Sequence, residues 1–153
     1  NKFKKGLIIK QDYIKEMYGI HKILWDYASF IKNRNIGQIE ISGEQILFTT
    51  KDGIKMACEA RDERSIPMEI LNFGDFEADE LEMIRKFLKK DSVILDIGAN
   101  IGWYCLNLSK DVQSGKIFAF EPISETYKYL SKNIAINKLS NIKVFLNFIL
   151  IAI

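Results

Sequence analysis

Five residues stand at a spacing that could do chemistry: Asp96, Gly98, Asn100 and Gly102 within VILDIGANIGWY, and Glu121 at the end of KIFAFEP. Gly98 and Gly102 remove side chains where a ligand would approach the backbone, and Asn100 is the non-glycine type that best tolerates a left-handed conformation. A helix opening near Trp103 directs free N–H groups and its positive dipole end at the same spot, which favours an anionic group. Glu121 lies 23 residues beyond Gly98 and ends the next strand. A carboxylate there can accept hydrogen bonds from both hydroxyls of a ribose.

The dinucleotide fingerprint G-x-G-x-x-G tests which ribose-bearing ligand fits. Its second glycine admits pyrophosphate and its third lets the helix pack on the strand. Counted from Gly98, those positions hold Asn100 and Trp103, which disfavours a nicotinamide-dependent oxidoreductase. The spacing D-x-G-x-N-x-G suits a ligand without pyrophosphate whose charged end is amino acid-like. S-adenosylmethionine has that chemistry: its carboxylate can meet the turn, its ammonium is drawn by Asp96, and its ribose reaches Glu121. A glycine turn alone also serves any strand-to-helix connection; the joint occurrence of Asp96, the paired glycines and Glu121 favours the ligand.

Other candidates have plainer readings beside the functional one. Trp103 and Tyr104 could line the methionine end of the site, but at helix positions facing a sheet they read as core. Phe76 and Glu77 could reach the same end, although an acidic residue also suits a helix N-terminus. Asn147 could meet the adenine if the third strand ends close to it. The single histidine, His21, flanks an apolar helical stripe and lacks partners at ligand spacing, so it reads as a packing or half-exposed residue. Cys58 and Cys105 show neither disulfide nor zinc spacing and read as reduced core thiols; no metal site is expected.

The elements that must position these residues follow from periodicity. Tyr13, Met17, Ile20, Leu24, Tyr27 and Ile31 predict one amphipathic helix over about 11–34. QIEI, ILFTT and IKMACEA, with a turn at Asp52-Gly53, predict a small antiparallel β meander. Residues 61–76 read as an irregular connector. From 77 the order is helix (to Lys90), strand 93–97, helix 103–110, strand 116–120, a helix capped by Ser124, and a third strand from Ile142. Apolar strands alternating with helices predict an α/β fold: a Rossmann-like parallel sheet with helices on both faces, incomplete, and preceded by the helix and meander. The expected division is an accessory region, 1–76, and the first half of a cofactor-binding domain, 77–153.

The chain has 153 residues, 48% apolar and 27% charged, with a formal net charge of +2. Residues 1–35 carry eight Lys/Arg against three Asp/Glu, yet no basic cluster with interleaved aromatics predicts nucleic-acid binding. The N-terminus lacks the apolar run of a signal peptide, and the apolar C-terminal run VFLNFILIAI has about half the length of a membrane span. A cytoplasmic protein with no membrane contact is expected, with that C-terminal run a buried strand.

VILDIGANIGWYCLNLSK followed by GKIFAFEPISETYKYLSKNIAINK resembles the first half of the FkbM-type methyltransferases, through D-I-G-A-N-x-G and through F-E-P with its trailing L-x-x-N-x-x-x-N. The resemblance covers about 77–145. It implies a class I fold using S-adenosylmethionine, with Asp96, Gly98, Ala99, Asn100, Gly102 and Glu121 as cofactor contacts and methylation of a sugar or small-molecule hydroxyl. No catalytic base is assigned. Family members continue into a fourth strand bearing a K-I-D-x-E-G-like motif, whereas this sequence stops at Ile153. The expectation is therefore a cofactor half that self-associates through an exposed sheet edge, or, as the alternative, a non-catalytic remnant or binding module.

Overall fold

A computed structural model describes residues 2–43 and 45–146. Residues 1–33 form one compact unit and the chain from Arg34 onward another. In the first unit the predicted single helix is two, α1 (Lys10–His21) and α2 (Ile23–Phe30), followed by a 3₁₀ turn, Ile31–Asn33. The break falls at Lys22, after the weak helix former Gly19 and the β-branched Ile20. The predicted apolar stripe buries none of its residues fully. An ion pair, Lys2–Glu16 at 2.8 Å, and a stacked Phe3–Tyr13 pair tie the N-terminal turn to α1.

The second unit opens with the meander: β1 (Gln38–Ser42), β2 (Gln45–Thr49) and the short β3 (Lys55–Met56), all antiparallel. Its second turn closes as Gly53 N–H donates to Thr50 O and Ile54 N–H to Thr50 Oγ1. The expected connector instead contains α3 (Ile66–Phe73). Ser65 precedes it, Pro67 stands in its first turn where a missing N–H costs nothing, and Ile66, Ile70 and Leu71 are buried on one face.

Then come α4 (Ala78–Arg85), β4 (Val93–Ile97), α5 (Trp103–Leu108), β5 (Lys116–Phe120), α6 (Ser124–Ile136) and β6 (Ile142–Phe145). Beyond Arg85, α4 continues only as tighter three-residue bonds to Leu88. The three strands are parallel in the order β4-β5-β6, with Ile94 beside Ile117 beside Ile142 and Asp96 beside Ala119 beside Val144. That face turns inward: Ile117 and Ala119 are fully buried and Asp96 half-buried, and Leu106, Leu108 and Leu130 complete the core.

The opposite face departs from the expected double cover. Val93, Leu95 and Ile97 point outward and remain 60–65% exposed, while Phe120 stacks on Phe145 at 4.8 Å beside them. The near-continuous apolar composition of VILDI is that of a strand buried on both faces, but among the described residues β4 is an edge strand. The predicted C-terminal strand and Asn147 lie outside the described residues.

Candidate functional site

The carboxyl ends of β4 and β5 sit side by side, and the turn between β4 and α5 rises between them. Gly98 N–H and Ala99 N–H both donate to Phe120 O, each at 2.9 Å. Next, Asn100, left-handed at φ 50, donates its N–H to Glu121 Oε2 at 2.9 Å and accepts the Ile101 N–H on its own side chain at 2.7 Å. Gly102 N–H donates to Ala99 O. The amides of residues 98–102 are thus engaged within the turn. A tight loop that returns its backbone to the neighbouring strand satisfies its own donors first.

Both glycines have positive φ, but for different reasons. A Cβ on Gly102 (φ 108) would stand 2.9 Å from Leu130 Cδ1 and 3.3 Å from Cys105 Sγ, so Gly102 lets α5 and α6 close on each other. A Cβ on Gly98 (φ 78) would meet nothing within 4 Å. Open space lies there, and a ligand can occupy it.

The six sequence candidates divide accordingly. Gly98 and Asn100 are exposed and Asp96 half-buried; Ala99, Gly102 and Glu121 are buried and shape the turn. Glu121 is only 4% exposed. Its Oε1 accepts the Ile123 N–H at 2.8 Å while Oε2 holds Asn100, so it joins the two loops before it meets any ribose.

Asp96 accepts the Cys105 N–H on Oδ2 at 3.2 Å. Burial raises its carboxyl above the usual carboxylate range, and that hydrogen bond offsets the rise only in part. Among the described residues no Lys or Arg pairs with it. Burial and the nearby Asp96 charge also push the Cys105 thiol up, so it is inert.

Tyr104 and Glu77, each given a plainer reading in the sequence, come together beside it. Burial, then the neighbouring carboxylates Glu77, Glu80 and Asp96, raise the Tyr104 phenol and hold it protonated. Glu77 is itself left-handed, at φ 44, a conformation uncommon for its type. Phe76 packs edge-on against Trp103 at 5.8 Å. Trp103 is core, as its plainer reading held, and its indole N–H lies buried without a hydrogen-bond partner among the described residues. The signal for Tyr104 was its place one residue beyond Trp103, on the side of α5 that faces Glu77 instead of the core.

Asp96, Glu77 and Glu80 therefore gather acidic side chains around Tyr104, with no paired cation among the described residues. A ligand whose near end is cationic fits these residues; a pyrophosphate would meet repulsion. His21 is exposed in the first unit, and among the described residues no cluster of side chains could hold a metal ion and no helix is long and apolar enough to cross a membrane.

Comparison with known proteins gives three kinds of match. A family model described as the TRM5/TYW2 methyltransferase domain matches residues 65–148. Methyltransferase sdnD of Sordaria araneosa is 42% identical over 57 residues, which are 37% of this chain and 22% of that protein. Among solved structures, M. jannaschii TYW2 in complex with AdoMet superposes with a TM-score of 0.53 at 22% identity, over 71% of this chain and 46% of that one. P. horikoshii TYW2 in complex with MeSAdo gives 0.51 at 22%, over 82% and 46%; Trm5b from Pyrococcus abyssi gives 0.50 at 22%, over 72% and 34%. At that identity these structures show the fold. The chain spans about a fifth of the curated relative and less than half of each solved chain. None of these matches supports the FkbM placement, nor the sugar or small-molecule hydroxyl it implied. The residues that carried that resemblance lie in the turn after β4, at the end of β5 and along α6.

Proposed function

The chain belongs to the TRM5/TYW2 methyltransferase domain family, and from that membership we propose that residues 77–146 form the cofactor half of an S-adenosylmethionine-dependent methyltransferase acting on a nucleotide of a transfer RNA. The observation that carries the cofactor reading is the half-buried Asp96, a carboxylate without a cation of its own beside the open face of Gly98. What supports the acceptor is the family. The basic excess of residues 1–35, which alone did not predict nucleic-acid binding, agrees with it.

When bound, S-adenosylmethionine supplies a methyl group on a positively charged sulfur. Asp96 draws the ammonium of its methionine end, with Glu77 and Tyr104 closing the same side. Gly98 leaves room for the chain of the ligand, and the exposed Asn100 side of the turn faces the nucleoside. Glu121 holds the two loops together through Asn100 and Ile123, and a lone pair left over would accept from a ribose hydroxyl. The chain's contribution to rate is alignment of the methyl with its acceptor.

Calorimetric titration with S-adenosylhomocysteine and, separately, NAD tests the cofactor reading. Binding of the former alone is expected, and NAD binding alone overturns it. Silence toward both favours a remnant that keeps only the fold. A salt-dependent gel shift with unmodified tRNA tests the acceptor; a shift absent at low salt, with the cofactor bound, returns the acceptor to a small molecule.

A further inference from the structure

The trailing L-x-x-N-x-x-x-N of the sequence has a job outside the ligand contacts. Asn133 is fully buried on α6. Its Oδ1 accepts the Ala57 N–H at 2.8 Å, and its Nδ2 donates to Ala57 O at 3.0 Å and to Ile101 O at 2.9 Å. One turn later Asn137 repeats the pattern: Oδ1 accepts the Lys55 N–H at 2.9 Å, and Nδ2 donates to Lys55 O at 2.7 Å and to Asn133 O at 2.7 Å. The fit is geometric. Four helix residues advance about 6 Å, two strand residues about 6.6 Å, so asparagines at i and i+4 meet alternate strand residues as a neighbouring strand would. The edge of β3 that β2 leaves open is thus paired by a helix.

The two asparagines differ in one respect. Asn137 reaches only the strand and its own helix, whereas Asn133 also holds the carbonyl of Ile101, the residue between Asn100 and Gly102. That carbonyl is buried in the turn beside Gly98. Fixing it fixes the Ile101–Gly102 peptide, one peptide beyond the left-handed Asn100, and so limits how far the turn that carries Asn100 and Gly98 can move.

We propose that Asn133 is a positioning residue for the cofactor: its carboxamide couples the accessory meander to the turn, so that docking of β3 sets how well the turn binds. The inference rests on the cofactor reading above and touches neither ligand nor reacting atoms.

The test compares Asn133→Ala and Asn133→Asp with Asn137→Ala in the full chain, by S-adenosylhomocysteine calorimetry, thermal melting and amide hydrogen exchange. The Asp variant keeps the bond from Ala57 N–H and loses the two to carbonyls. Both Asn133 variants should weaken S-adenosylhomocysteine about tenfold and speed exchange at residues 98–102 about tenfold, each measured against the parent chain. Asn137→Ala should lower the melting temperature while leaving affinity and turn exchange within about twofold of the parent. Equal affinity and exchange for the two positions overturns the proposal. So does failure of both Asn133 variants to fold while Asn137→Ala folds, since Asn133 would then serve the fold alone. If the parent chain binds no S-adenosylhomocysteine, the cofactor reading falls, and turn exchange in the unliganded variants still decides whether Asn133 positions the turn.

Discussion

The Asn100 amide and the Glu121 carboxylate, 21 residues apart and on different strand ends, meet at 2.9 Å. With the bond from Ile123 N–H to the other oxygen, that contact makes Glu121 a brace across the mouth of the site. Glu121→Gln places an NH₂ against one of two backbone donors. It should cost ~1–3 kcal/mol of stability in urea titration, before any effect on ligand. A variant as stable as the parent, with weaker nucleoside binding, would restore the simpler role of Glu121 as a ribose contact.

The two glycines of the turn should separate stability from binding. Gly102→Ala forces a methyl to 2.9 Å from Leu130 at φ 108 and should destabilise by at least ~2 kcal/mol. Gly98→Ala meets no neighbour; it should cost about 1 kcal/mol of backbone strain and yet weaken S-adenosylhomocysteine more than its stability loss explains. Paired melting and calorimetry read both, and an unchanged affinity for Gly98→Ala would move the ligand away from that face.

Asp96 gives the site a pH dependence with a definite sign. Burial raises its carboxyl, so as pH rises from the unfolded pKa to the raised folded one, this group's contribution to stability falls. A cationic ligand favours the ionised form, so binding releases a proton within that window. Affinity for S-adenosylhomocysteine should increase as pH climbs through the carboxylate range and then level off. Asp96→Asn should bind more weakly at neutral pH and flatten the curve; a parent profile that is already flat would exclude Asp96 from contact with the ammonium.

The thiols report on the same region. Burial raises both, and Cys105 lies sealed under the turn whereas Cys58 is half-buried. Iodoacetamide at neutral pH should label Cys58 first, with Cys105 following only on unfolding. Bound cofactor should slow the second step alone.

The outward row Val93, Leu95 and Ile97, 60–65% exposed on an unpaired strand edge, should drive self-association. Sedimentation velocity of the parent is expected to show species heavier than a monomer, and Leu95→Lys should shift the distribution toward monomer. A monodisperse, folded parent monomer would contradict this.

Much of the sheet was legible because its signals are local. VILDI, KIFAF and the helix from Ser124 each declare themselves by composition and period, and the turn by its glycines. What was not legible depends on partners far away in sequence. The helix at Ile66–Phe73 hides in a charged stretch with Pro67, since a proline in a first turn looks like a loop signal. The long N-terminal helix breaks at Lys22 although its apolar period does not. Only the folded chain shows the amides of 98–102 turned to Phe120 O, Glu121 and the turn itself, and Asn133 and Asn137, visible in the sequence only as part of a family-like pattern, gain their partners once β3 lies against them.

The asparagine joint has a consequence for how this chain can vary. Both carboxamides address the backbone of residues 55 and 57 and leave the side chains there unread. Apart from proline, which would remove a donor, the joint accepts any residue at the exposed position 55, whereas the buried Ala57 leaves room only for a small one, and almost none but asparagine serves at the two helix positions. Evolution is free to rewrite what the meander displays while leaving it mounted in the same register.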